Sequence, residues 1–347
     1  MRKWVLVFVL FAFLAVPVGA SAIEPVEPEG AVADRIPQST GDFGKDLWYV
    51  IRSAILSLRP DLAQGMQVCL SVFAVAAGMA LLRQQDGAGK AAVELSGVVA
   101  ISCILLRAAD TMIRLGVNTV AEISHYGTML LPVMAAALAA QGGVTSAGAL
   151  FAGTAIFDTV LTSLVSRCLV PMVYIFLVLG ILNAATGEKM LKRIQDLVKW
   201  FMTWSLKILM YVFTGYISIT GVVSGSADQA ALKATKLTIS GAVPVVGGIL
   251  SDASEAVLVS MRVAKNAAGV YGVLAFAAIF LAPFVTLALH SVLLKLTAAI
   301  CGVISDEKSC QVIETFSTAM AFLLGMTGAA CLMQLISTVC FMKGMGS

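Results

Sequence analysis

Charge is scarce in this chain. Only 12% of its 347 residues are Asp, Glu, Lys or Arg, where soluble domains carry roughly 25%. The formal net charge of +3 is too small to argue for a nucleic-acid partner. Histidine is scarcer still: His125 and His290 stand far apart and lack ligand company. Seven cysteines form no CxxC pair, and six sit in or beside apolar runs. They read as small packing residues, which excludes a disulfide frame and a zinc site. No GxxxxGK followed by Ser or Thr occurs, so energy for any transport would come from a partner. No nucleophile constellation is visible either. Asp158 is a lone acid without a partner acid in a matching span, which argues against an intramembrane enzyme. The chain reads as no enzyme and calls for no cofactor.

What is present is apolar. Hydrophobic residues make up 59% of the chain, and the mean hydropathy is +0.94. These values fit an all-α, polytopic membrane helix bundle whose solvent is the lipid bilayer. Met1 to Ala22 has the form of a secretory signal: Arg2 and Lys3, then an apolar run, then Ala20-Ser21-Ala22. Cleaved or kept as an anchor, it leaves residue 23 onward starting outside the cytoplasm. Residues 23–65 form an extracytoplasmic linker rich in Pro, Gly and acids, followed by an amphipathic helix over Lys45 to Leu58. That helix suits either the outer membrane surface or the flank of the bundle.

Residues 66–126 hold two spans, Met66 to Leu82 and Ala91 to Leu106, and then a polar-striped helix. Glu94 reads as a rim charge. The stripe runs through positions 107, 110, 114, 118, 122 and 125, at helical spacing. It fits a solvated face, or a face turned to water inside a channel. Asp110 and Arg114 form an i,i+4 pair within it. Residues 127–236 form a first half. It contains a short apolar piece broken at Pro132 and closed by Gln141-Gly142-Gly143, a small-residue helix carrying Asp158, and a span containing Pro171. The basic link Glu188 to Lys199 follows. It is the most positive short loop and is therefore placed in the cytoplasm. From there Phe201 to Val223 crosses outward.

Residues 237–347 form the second half, opening on Leu237 to Asn266. Its apolar core, Ile239 to Leu250, is too short to span a bilayer, which takes about 20 residues. Gly241, Pro244, Gly247 and Gly248 interrupt it. Asp252 followed by Glu255 marks a helix start, and Asp252, Glu255, Arg262 and Asn266 share a face. Two readings fit: a re-entrant pore or docking element, and a plain extracytoplasmic loop leading into a surface helix. Pro132 to Pro244 and Pro171 to Pro283 are both offsets of 112 residues. That spacing suggests a parallel internal repeat with two Pro/Gly-broken elements, although chance also produces such pairs. The order of elements gives six full spans plus the two short pieces, or seven or eight spans if the short pieces cross.

The stretch KLTISGAVPVVGGILSDASEAVLVS, the basic KMLKRIQDLVKW link and the order of spans resemble the stage III sporulation protein AE family. The resemblance implies a membrane subunit of a channel or secretion apparatus that joins mother cell and forespore during endospore formation. It implies seating in the mother-cell membrane around the forespore. The implied partners are other products of the same operon, including a cytoplasmic ATPase and ring-forming proteins, and a forespore membrane protein. The residues themselves also fit a stand-alone secondary transporter for a small solute, which would need polar side chains converging near the midplane.

Overall fold

The computed structural model describes residues 43–82, 90–242, 247–304 and 307–343, without side chains over 221–267. The signal-like segment and most of the linker therefore lie outside the described residues. Seven α-helices fill the described chain: α1 (Phe43–Leu82), α2 (Lys90–Ala140), α3 (Val144–Leu164), α4 (Val170–Thr186), α5 (Lys189–Ala242), α6 (Gly247–Ile304) and α7 (Glu307–Lys343). A π-helical turn, Val165–Leu169, joins α3 to α4. There is no strand among the described residues.

The helices run longer than the apolar pieces that compose them. Met129 to Ala140, expected as a separate short element, is the last part of the 51-residue α2, with Pro132 inside the helix. The striped segment 107–125 is the middle of the same helix. A bundle supports such a proline because neighbouring helices cover the freed carbonyl and limit the distortion. Pro283 likewise lies inside the 58-residue α6. Pro171 is accommodated differently. It stands at the start of α4, and the backbone N–H of Val170 reaches back to the Val165 carbonyl. The i→i+5 turn opens the helix where a proline ring would otherwise clash. The expected small-residue helix, Ala147 to Ser166, and the expected span, Cys168 to Leu182, thus join into one 43-residue helical segment, 144–186.

Five segments are long and apolar enough to cross a membrane among the described residues: Gly44–Leu82, Ala92–Ala140, Val144–Thr186, Ala268–Val303 and Glu307–Lys343. The expected span Phe201 to Val223 lies on α5, and its last three residues belong to the stretch whose side chains are not described. The fold is thus an all-helical membrane bundle. The first of the two expected broken elements is continuous helix, and the second includes residues 243–246, which lie outside the described residues.

Helix α7 is the hub. It packs most extensively on α6 and α2, while α1 lies on α6 and α3 is held between α2 and α5. Helices α6 and α7 run antiparallel, with the Ser317 hydroxyl donating to the Ser291 carbonyl at 2.9 Å. The buried face of α2 recurs at helical spacing through Ile101, Leu105, Ile113, Ile123, Leu130 and Met134. Edge-to-face aromatics lock neighbours together: Tyr126 on Phe276 at 5.0 Å, and Phe176 on Phe322 at 5.7 Å. Turns are set by glycines in the left-handed region, Gly142 at φ 91° after α2 and Gly187 at φ 71° after α4. The Gln141-Gly142-Gly143 stop expected from sequence falls where α2 ends.

Candidate functional site

The sequence-selected element sits at the junction of α5 and α6. Gly241 falls in the last turn of α5, and Gly247 and Gly248 open α6. Pro244 lies outside the described residues. Asp252, Glu255 and Arg262 lie on helical backbone within α6, and their side chains are not described. Helix α6 begins at Gly247, ahead of the start expected at Asp252. Glycine costs least where a helix end leaves N–H groups unpaired in any case. The short apolar piece is therefore shared between two helix ends.

Elsewhere the bundle brings polar side chains together at one buried point. Asp158, 5% exposed in the middle of α3, faces both α2 and α7. Ser124 on α2 donates to Asp158 Oδ2. Gln334 Nε2 on α7 donates to Asp158 Oδ1 at 2.7 Å. One turn along α3, Thr154 and Ser337 hydroxyls lie 3.0 Å apart. Gln334 is fully buried, and its Oε1 has no hydrogen-bond partner among the described residues. Gly127 leaves the room that the Gln334 amide occupies: a Cβ there would meet its Nε2 at 2.5 Å. Three helices are thus tied by a carboxyl group whose two oxygens both accept from protein donors.

Of this cluster, only Asp158 was singled out from sequence. Gln334 had a signal of its own, as the one amide in the apolar stretch from Ala319 to Phe341. Ser124 had none, because serine is common on helices and bonds its own backbone. Glu94 pairs with Lys308 at 3.3 Å, across from α2 to α7. The stripe on α2 faces outward. Arg107, Arg114, Asn118, Glu122 and His125 are exposed, Asp110 receives Arg114 Nε at 2.9 Å, and Tyr174 donates to the other Asp110 oxygen at 2.8 Å.

A second polar region opens where α4 ends, α5 begins and α7 begins. The cleft measures about 660 Å³ and is lined by charges of both signs, Lys189, Lys192, Asp196 and Lys199 on α5 and Glu307, Lys308 and Glu314 on α7. Asn183 lines it, buried, with Nδ2 unpartnered among the described residues. Exposed Trp200 and Trp204 lie with ring centroids 6.1 Å apart and planes tilted by 47° next to this basic segment, a pairing suited to a headgroup boundary.

Residues 33–344 match the family model described as Stage III sporulation protein AE. The protein of that name from Bacillus subtilis (strain 168) is 23% identical over 278 residues, covering 79% of this chain and 68% of that protein. No solved structure matches. With nearly its whole length matched by one family model, this multi-pass helical chain belongs to the stage III sporulation protein AE family.

Proposed function

We propose that the chain is an integral membrane subunit of a channel or secretion apparatus linking mother cell and forespore during endospore formation. It sits in the mother-cell membrane around the forespore, its mature N-terminus outside the cytoplasm and residues 1–22 acting as the signal. Family membership over residues 33–344 is the observation that carries this reading. Helix length supports it. At 1.5 Å per residue, α2 and α6 extend roughly 75–90 Å, far beyond a hydrocarbon core of about 30 Å. Such helices project from the bilayer and offer surfaces to neighbouring subunits. The cytoplasmic ATPase and ring-forming proteins of the operon, and a forespore membrane protein, are the partners this reading requires. The cleft between Lys192 and Glu314 suits a cytoplasmic partner, because the basic segment that walls it is held inside by its charge.

A stand-alone solute transporter would use the Asp158 cluster as its binding site. Both oxygens of that carboxyl group accept from Ser124 and Gln334, which favours a clamp between helices. The α5–α6 junction remains the proposed pore or docking element. There Gly241, Pro244, Gly247 and Gly248 shape the backbone, and Asp252, Glu255 and Arg262 meet water or a partner.

Deleting the gene in the sporulating host tests the proposal. Engulfed forespores should stall or shrink, with late forespore gene expression lost, and the intact gene should restore them. Normal spores in the deletion strain would overturn it. Pro244→Leu, or Gly247→Leu with Gly248→Leu, should accumulate but fail to restore sporulation. Full restoration would remove the junction from the working parts.

A further inference from the structure

Between α1 and α2 runs an open groove of about 620 Å³. One wall carries Gln64, Gln67 and Ser71, at helical spacing on α1. The other carries Cys103, Arg107 and Thr111, likewise spaced on α2. Val68 and Ile104 form its floor. The groove's one charge is the Arg107 guanidinium, and no carboxylate lines it. The nearest acid on α2, Asp110, is occupied by Arg114 and Tyr174. The Ser71 and Thr111 hydroxyls donate to their own helix, to the carbonyls of Gln67 and Arg107. That leaves the guanidinium and the two glutamine amides as the donors facing the groove.

An exposed arginine on an apolar hairpin needs an anion or water, since hydrocarbon cannot solvate it. Here its position is informative. From Gln64 to Leu82, and back from Lys90 to Arg107, each helix covers roughly 25–27 Å. That is close to the hydrocarbon thickness of about 30 Å. The polar rim of the groove therefore stands at one headgroup level when the Leu82 end of α1 and the Lys90 end of α2 stand at the other. Between them the outer surface is apolar, with Leu70, Leu81, Leu95, Val99 and Leu106 exposed. A guanidinium with two amide NH2 groups beside it, above an apolar wall, matches a phosphodiester carrying acyl chains.

We infer that the α1–α2 groove binds the phosphate headgroup of a phospholipid, with Arg107 as the anchor and Gln64 and Gln67 as further donors. Arginine suits this role because its planar fork pairs two phosphate oxygens at once. The site is independent of the proposed role in sporulation.

The test uses the purified full chain, stripped of lipid in detergent and titrated with short-chain phosphatidylglycerol. Lipid adducts are counted by native mass spectrometry, with thermal stability followed in parallel. A saturable adduct is expected, weakened about tenfold in Arg107→Gln, the loss of a charge-assisted contact, and weakened less in Gln67→Leu. Arg167→Gln, exposed but outside the groove, should bind like the parent. Diacylglycerol and inorganic phosphate, each holding half of the chemistry, should not compete. Equal lipid affinity in Arg107→Gln would overturn the inference. So would diacylglycerol binding as tightly as the phospholipid, or inorganic phosphate displacing it in an Arg107-dependent way.

Discussion

Helix α2 carries polar residues on two faces, and they hold different company. On the inner face, Ser124 crosses to α3 and meets a carboxyl group that α7 also holds. Other buried hydroxyls of the same helix, Ser102 and Thr119, are satisfied by that helix itself, on the carbonyls of Val98 and Leu115. On the outer face, the stripe from Arg107 to His125 makes an i,i+4 pair and one contact to Tyr174. The buried cluster is small and ties three helices; the exposed stripe is long and ties almost nothing. Number of polar residues is thus a poor guide to structural weight. What counts is whether a polar group has lost the option of water.

Disrupting the inner packing should have the largest effect. A side chain at Gly153 on α3 would overlap the Tyr216 ring of α5, whose hydroxyl donates to the Ala149 carbonyl at 2.8 Å. Gly153→Leu should destabilise by about 1–3 kcal/mol or more and reduce accumulation in membranes. Gly148→Leu, on the same helix with open space around it, should accumulate normally. Equal accumulation of the two would contradict the packing of α3 on α5.

Next comes the carboxyl group itself. Asp158→Leu removes both interhelical acceptors and strands the Gln334 amide, at a cost of about 1–3 kcal/mol. The shift should be visible in the unfolding midpoint in mixed detergent. Asp158→Asn keeps an acceptor for Gln334 and should lose less. A smaller effect is expected one turn away. Thr154→Val removes the contact with Ser337, and the loss should be about 0.5–1.5 kcal/mol. Arg114→Ala should leave the midpoint where it was, since the pair it breaks is exposed and screened by water. A clear loss there would mean that the outer face is covered in the protein measured, and the contrast between the faces would fall.

Much of the fold was legible in advance, because apolar length and helical periodicity are local properties. The glycine stop after Ala140 and the basic start of α5 stand where their residue types put them. The continuity of helices was less legible. Pro132 looks like a break when read alone, yet α2 runs through it, since the bundle compensates for a missing hydrogen bond that an isolated helix would lose. Matching prolines at equal offsets therefore do not imply matching local structure: Pro171 stands at the start of α4 behind a π-helical turn, while Pro283 lies inside α6. The buried cluster was the least legible part. Ser124 and Gln334 are 34 and 176 residues from Asp158 along the chain, and nothing local announces that the three meet.

The central claim is that Asp158 holds the bundle together in a sporulation membrane subunit and handles no cargo. The most direct test is complementation of the deletion strain with Asp158→Asn, measuring spore yield and membrane accumulation in the same cells. Spore yield should follow the amount of accumulated protein. Full accumulation with no spores would contradict the account and make the carboxyl group a working part of the transport path.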